Sequence, residues 1–455
     1  MKALIILSSL GIISLLVEMF HLKKFLFPVV LIGLAATVCA LITEWGHGNE
    51  YYHMMKVDGF AICFSITIVT TAFLWLLMSY KNLNEKPGLV DHVSLALFSL
   101  TGGLLLTSYF NLTMLFLGVE ILSIPLYVLA GSMKDNLSSN EAGFKYFLMG
   151  SFASGFLLFG IALIYGSAAS FNLDAIADFA VKNHGNIPTL FYAGILLILV
   201  GLAFKVSAVP FHFWAPDVYQ GAPTVVTAFM STVVKTAMFA AFYRLFNTCF
   251  GVSDATWSYL VMIMAAATMI VGNITAVYQS NVKRMLAYSS ISHAGFMLVA
   301  LVAMNALSAG SILYYTVAYS ISTIGAFTVF YLVSGSRSEN VDAFNGLGKK
   351  NPLLAFAMTV AMLSLAGIPP LAGFFAKYYV FVAALKNGYV PLVIIALLAS
   401  LVGVYYYFRI IIAMYFKESD DKEITVDDTH KWLLVVISLA TLAIGILPDA
   451  IIKLL

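Results

Sequence analysis

The sequence predicts an all-α integral membrane protein of about fourteen transmembrane helices, at about 20 apolar residues per span. Spans 4–8 and 9–13 are expected to form two inverted five-helix repeats, with helices 7 and 12 broken. Three observations carry this expectation. The composition suits lipid, the apolar residues come in continuous runs of bilayer length, and the rare polar residues inside those runs recur at a nearly constant spacing.

Of 455 residues, 61% are hydrophobic and 10% charged, and mean hydropathy is +0.95. Soluble domains carry roughly a quarter charged residues, so lipid is the solvent these side chains fit. The runs fall at 3–20, 25–43, 58–79, 91–109, 112–131, 144–167, 188–209, 222–248, 256–278, 284–305, 309–334, 351–385 (interrupted), 389–416 and 431–454. They do not alternate residue by residue, which excludes a β-barrel. Met1 to Phe20 has the length of a secretory leader, but a second run follows at once without a small-residue cleavage pattern, so it is read as the first span.

A net charge of +2 says little when it is summed over two membrane faces, and no polybasic arm points to nucleic acid. Cys39, Cys63 and Cys249 stand singly, with no C-x-x-C pair, which argues against zinc, iron–sulfur and disulfide frameworks. No phosphate-binding glycine loop is present, and of eight histidines only His293 lies deep in a span, too few for haem held between helices. No cofactor is therefore expected in this chain.

Basic residues in the alternating loops set the orientation. One side holds fourteen, among them Lys23, Lys24, Lys86, Lys283, Arg284 and Lys431, and the other side, with both termini, holds six including Arg244. The termini are expected to face outward. Four of the 24 basic residues remain, inside spans: Lys205, Lys235, Lys377 and Arg409.

Two of these lysines sit beside helix breaks. Leu365 to Gly373 places Pro369, Pro370, Gly367 and Gly373 in an apolar segment just before Lys377, and Pro210 follows Lys205 by five residues. Unwound backbone at bilayer depth is tolerated where protein or a water-filled cavity covers it, and in transporters it marks the transport site. The polar positions also repeat. Glu120, Lys205 and Lys235 in spans 5, 7 and 8 are followed by His293, Lys377 and Arg409 in spans 10, 12 and 13, at offsets of 173, 172 and 174 residues. An odd number of crossings per unit inverts the second copy. The expected organisation is three helices over 1–90, a first half-channel over 91–250, a second over 251–420 and a last helix over 421–455.

An ionised side chain at the bilayer centre costs about 2.5–3.5 kcal/mol on insertion scales, so each needs a partner or a function. Glu120, Ser123 and Tyr127 share one face of the fifth span, and the glutamate calls for a cation, for which Lys205 is the candidate. Lys235 follows Ser231 and Thr232, His293 follows Ser289 and Ser290, and Thr316, Ser320 and Thr323 line the eleventh span. Buried lysine has a movable proton affinity that a nearby carboxylate opposes, which suits proton transfer. Plainer readings stand beside this one. Glu120 and a lysine could form a structural ion pair, while Lys235, Lys377 and Arg409 could snorkel to an interface. His212 could cap a loop, His293 could be a neutral core residue bonded to serine, and Lys283 and Arg284 could be positive-inside anchors.

Leu115 to Ala130, Ser139 to Gly155, Lys205 to Lys235 with Pro-Phe-His-Phe-Trp-Ala-Pro-Asp inside it, Asn281 to Gly295 and Leu363 to Lys377 resemble the antiporter-like subunits of proton-pumping NADH:quinone oxidoreductase, respiratory complex I, most closely the subunit N branch. The resemblance covers nearly the whole chain. It implies a proton-translocating, non-redox subunit of a bacterial inner (plasma) membrane complex, assembled with other membrane subunits in the lipid bilayer, while NADH and quinone are bound elsewhere in the complex. It further implies a Glu120–Lys205 pair, Lys235 as the bridging lysine, Lys377 as the twelfth-helix site, and His293 on a histidine-bearing helix. Lysine at 377 favours the N branch over the M branch, where glutamate is expected. A chain that stops after span 14 disfavours the L branch. An Mrp-type sodium/proton antiporter subunit would share the Glu and Lys positions and is the alternative reading.

Overall fold

In hydrocarbon every backbone N–H and C=O must be satisfied within its own segment, so apolar runs of this length fold as helices. The protein is described here by a computed structural model covering residues 1–20, 23–85, 89–251 and 254–455. Lys86, counted above among the loop lysines, lies outside the described residues. In chain order come α1 (Lys2–Met19) and α2 (Lys23–Thr43), then a hairpin of β1 (Asn49–Tyr51) and β2 (Met55–Val57), then α3 (Gly59–Glu85), α4 (Leu89–Ser108), α5 (Leu112–Ala130) and α6 (Leu137–Ala168). After these follow α7 (Leu173–Lys182), α8 (Thr189–Lys205), α9 (Trp214–Gly221), and α10 (Thr224–Phe229), which runs through a π-helical segment, Met230–Val234, into α11 (Lys235–Cys249). The second part comprises α12 (Asp254–Val277), α13 (Val282–Ala303), α14 (Ser308–Ser336), the short α15 (Leu347–Lys350), α16 (Pro352–Ala366), α17 (Ala372–Lys386), α18 (Val390–Phe416), α19 (Asp428–Ile446) and α20 (Asp449–Ile452).

Among the described residues, ten helices are long and apolar enough to cross a bilayer. Three shorter apolar helices accompany them, Lys2–Val17, Thr189–Lys205 and Pro352–Ala366. Two loop elements were not anticipated. The hairpin pairs Glu50 with Lys56 and leans on the end of α4 through a Met55–Tyr109 bridge. Helix α7 is amphipathic, with Leu173, Ile176 and Ala180 buried on one face.

Asparagine side chains start several helices by accepting from first-turn N–H groups: Asn111 on α5, Asn136 on α6, Asn172 on α7 and Asn281 on α13. Two of them also tie a helix start to the end of the next helix. Asn111 bridges to Asn172, with the Leu112 amide donating to Phe171 O at 2.8 Å and the Leu173 amide to Phe110 O at 3.2 Å. Asn281 bridges to Asn340 in the same way, Val282 donating to Glu339 O at 2.8 Å and Val341 to Ser280 O at 3.0 Å.

The most polar spans are the most enclosed. Windows in Thr224–Cys249, Val282–Ala303 and Ser308–Ser336 are 100%, 94% and 83% buried, against 39% in Leu137–Ala168 and Val390–Phe416. Lys235, His293 and Thr316 therefore sit in central helices, screened from lipid by the others. Helix α6 packs on α8 and α9, and α14 packs correspondingly on α16 and α17.

A buried lysine and histidine row as the candidate functional site

Both broken helices form where proline and glycine deny a continuous ladder of hydrogen bonds. The first break runs from Val206 to Phe213. The Val209 amide finds a partner across the bundle, donating to Thr268 Oγ1 at 2.9 Å, and the Trp214 indole Nε1 spans the break to donate to Phe204 O of α8 at 3.0 Å. The second break follows Ala366, where Gly367 takes φ +87° and caps α16. A Cβ at Gly367 would lie 3.0 Å from Lys377 Cδ, so both the backbone conformation and the lysine need glycine there.

Lys205 closes α8 and is 3% exposed. Its Nζ donates to Ser123 Oγ at 2.9 Å and to Tyr127 Oη at 3.0 Å, both on the α5 face that also bears Glu120. The direct Glu120–Lys205 ion pair expected from the sequence is not formed. Glu120 Oε1 is instead buried without a hydrogen-bond partner. The hydroxyls one and two turns beyond the carboxylate take the lysine because its side chain reaches them from the end of α8. Gly150 on α6 supports the arrangement, since a Cβ there would collide with the Tyr127 hydroxyl.

Lys235 follows the π-helical segment of its span and is 1% exposed. It donates to the carbonyl oxygen of Ser290, tying α11 to the backbone of α13. One turn on, His293 is buried between two tyrosines, Nδ1 lying 2.7 Å from Tyr315 Oη and Nε2 3.1 Å from Tyr407 Oη. Tyr407 continues to Ser289 Oγ at 2.5 Å. The serine partner expected for a neutral core histidine is thus reached through a tyrosine. Neither Tyr315 nor Tyr407 was singled out from sequence, because an aromatic residue in an apolar span carries no mark of where its hydroxyl points.

Lys377 on α17 donates to Ala366 O at 2.7 Å, a carbonyl freed by the helix break, and to Ser400 Oγ of α18 at 2.8 Å. Its Nζ also stands 5.0 Å from the Phe296 ring centroid, a cation–π contact. The eleventh-span hydroxyls divide. Ser320 Oγ meets Thr236 Oγ1 at 3.4 Å, Thr316 returns to its own helix, and Thr323 Oγ1 is buried without a partner.

The remaining polar positions fall outside this row. Arg409 donates to Val277 O at 3.1 Å and to Gln279 O, binding the carbonyls that end α12. His212 lies inside the first break, so it does not stack on Lys205; its ring packs against Phe213 and its Nδ1 has no partner. Lys283, read as a positive-inside anchor, is buried. It donates to Gln220 O at 3.1 Å and Ala222 O at 2.5 Å at the end of α9. Arg284 beside it meets Asp217 at 2.9 Å, and Asp217 also receives Lys145 at 2.8 Å. Arg244, counted with the loops, is buried and holds Asp58 through two hydrogen bonds of 3.0 and 2.6 Å.

Comparison with known proteins follows the same lines. Residues 110–403 match the family described as NADH:quinone oxidoreductase/Mrp antiporter, TM. The chain is 44% identical, over the full length of both, to a Flavobacterium psychrophilum protein named NADH-quinone oxidoreductase subunit N. It is similar to a chain of the respiratory complex I structure from Thermus thermophilus with bound aureothin, with TM-score 0.85 and 33% identity over 99% of this chain and 98% of that one. A chain of the Mrp complex from Dietzia sp. shares the fold alone, with TM-score 0.87 at 19% identity, over 99% of this chain and 95% of that one.

Proposed function

This chain belongs to the NADH:quinone oxidoreductase/Mrp antiporter transmembrane family, and on that premise we propose that its buried lysine–histidine row is the proton path of a subunit-N-type component of complex I. The protein is a proton-translocating, antiporter-like membrane subunit of NADH:quinone oxidoreductase, and it works within the multi-subunit respiratory complex of a bacterium. It takes no redox cofactor of its own, and NADH and quinone react at other subunits. The Mrp-type antiporter reading is weaker: the family takes in both kinds of protein, but the 44% identical full-length relative is named subunit N, whereas the Mrp-complex chain is 19% identical.

Fourteen crossings are the count supported by the ten long helices together with α1, α4, α8 and the broken α16–α17 pair. Residues 91–250 and 251–420 form two inverted units, flanked by three helices over 1–90 and one over 421–455. The repeated asparagine bridges and the matching packing of α6 on α8 and α9 and of α14 on α16 and α17 support this division. The membrane is the bacterial plasma membrane, with both termini on its outer side, as the loop lysines argue.

The single observation that carries the proton path is the Lys235 bond to Ser290 O, one turn from His293, because it continues the polar row across the boundary between the two units. A buried ammonium is held by charge-assisted hydrogen bonds and gives up its proton when those partners move. Lys205 holds a proton on Ser123 and Tyr127, with Glu120 one turn away to steady it on approach. Lys235 bridges, His293 can pass a proton between its two nitrogens and their tyrosines, and Lys377 holds one on the carbonyl at the second break. Replacing Lys205, Lys235 and Lys377 by alanine one at a time, in the assembled complex in membrane vesicles, should lower the protons moved per electron while NADH oxidation by the other subunits persists. Unchanged stoichiometry in all three variants would sink the assignment.

A further inference from the structure

Between α3 and α14 the protein leaves a groove of about 240 Å³ that the proton path does not use. We propose that it binds one acyl chain of a membrane phospholipid, in the leaflet adjoining the start of α3. The α3 wall is a stripe at helical spacing, including Cys63, Thr67, Thr70 and Leu74, and Leu313, Val317 and Ile321 of α14 face it. Thr67 and Thr71 donate their hydroxyls to Cys63 O at 2.9 Å and Thr67 O at 2.7 Å, so they need no partner from the groove. At bilayer depth water does not stably fill such a lining, and an empty groove would forfeit the dispersion contacts of both walls.

Length decides the occupant. From Cys63 to Leu74 the helix rises about 16 Å at ~1.5 Å per residue, and one leaflet of a ~30 Å hydrocarbon core is about 15 Å deep. The groove is therefore about as long as one leaflet is deep, the reach of a single acyl chain. Its outer end is rimmed by Trp45, 42% exposed, with Ile451 and Leu454 beside it. An amphipathic indole belongs at headgroup depth, where a lipid's polar end would sit. The same α14 carries Ser320, which meets Thr236 next to Lys235, so the bound chain wedges the helix that backs the polar row.

The test uses the purified full complex with a benzophenone amino acid at Thr70, or at Phe152, an α6 residue 73% exposed to the surroundings. After irradiation, intact-protein mass identifies what each site has captured. A phospholipid-mass adduct is expected at Thr70 and should fall less than twofold after extensive detergent washing before irradiation, while any lipid adduct at Phe152 falls about tenfold, a fivefold difference in retention worth about 1 kcal/mol. Val317→Phe narrows the groove and should cut the Thr70 adduct at least fivefold, and Cys63→Leu gives the same test where phenylalanine prevents assembly. Loss of the Thr70 adduct on washing, an adduct of quinone or polypeptide mass, no adduct, or an adduct indifferent to groove filling would each overturn the site. None of these readouts depends on pumping, so the proton path stands or falls separately.

Discussion

Tyr127→Phe isolates what a single hydroxyl does for the proposed proton path. The substitution keeps the ring and its contacts with Tyr146 and Phe147, whose centroids lie 4.7 and 5.9 Å away. It removes only the oxygen that accepts from Lys205 Nζ at 3.0 Å. Lys205 is 3% exposed, so water cannot freely replace that partner, and Ser123 at 2.9 Å remains as the other acceptor. A hydrogen bond to a charged group contributes about 1.5–3 kcal/mol, which corresponds to about 10- to 150-fold in the step that places a proton on this lysine. Proton delivery into vesicles, followed with a pH-gradient dye and divided by NADH oxidised, should fall by at least about tenfold when that step limits. Wild-type coupling in Tyr127→Phe, with the complex assembled normally, would refute the view that Lys205 is held for transfer by this hydroxyl.

Gly367→Ala should impair the second half by sterics alone, because it forces alanine to φ +87° and presses on Lys377; about 1–3 kcal/mol of backbone strain should appear as reduced thermal stability of the purified complex together with weaker pumping. Arg409→Met should leave the ratio of protons to electrons unchanged and lower stability by about 1–3 kcal/mol through the unpaired carbonyls at the end of α12, measured by denaturation in detergent. Altered stoichiometry with unchanged stability would place Arg409 in the path instead. At the start of α19, partial burial pushes the Asp427 carboxyl up, but the hydrogen bonds and charge of His430, together with backbone hydrogen bonds, outweigh it in sum and hold the group below the usual carboxylate range. A carboxyl depressed in the folded state contributes stability above its unfolded value of about 3.9 and loses it as pH falls through the folded value. Acid titration of the complex below about pH 4 should therefore show less loss of stability in Asp427→Asn than in the unaltered protein, and identical acid profiles would remove Asp427 from the account.

Much of this molecule is legible along the chain because lipid allows few solutions. Continuous apolar runs become helices, and proline and glycine mark where helices break, so the interruptions after Lys205 and before Lys377 could be placed from residue type alone. The cost of burying charge made Lys205, Lys235, Lys377, Glu120 and His293 stand out. Loops were less legible. Helix α7 and the β-hairpin are short and mixed in polarity, and α7 shows its apolar face only over ten residues.

Partners were decided by the tertiary structure, because hydrogen bonding depends on direction over a few ångströms and not on proximity along a helix face. Glu120 was the natural ion pair for Lys205 by charge, yet the ammonium reaches Ser123 and Tyr127. Lys283 looked like a loop cation and is buried on the carbonyls that end α9. Arg409 matched Lys235 by offset, but its guanidinium turns to the end of α12. The sequence by itself determined that charge is carried into the membrane and at which residues. The fold alone decided which hydroxyls and freed carbonyls those charges meet, since those partners come from helices far apart in sequence and are chosen by packing.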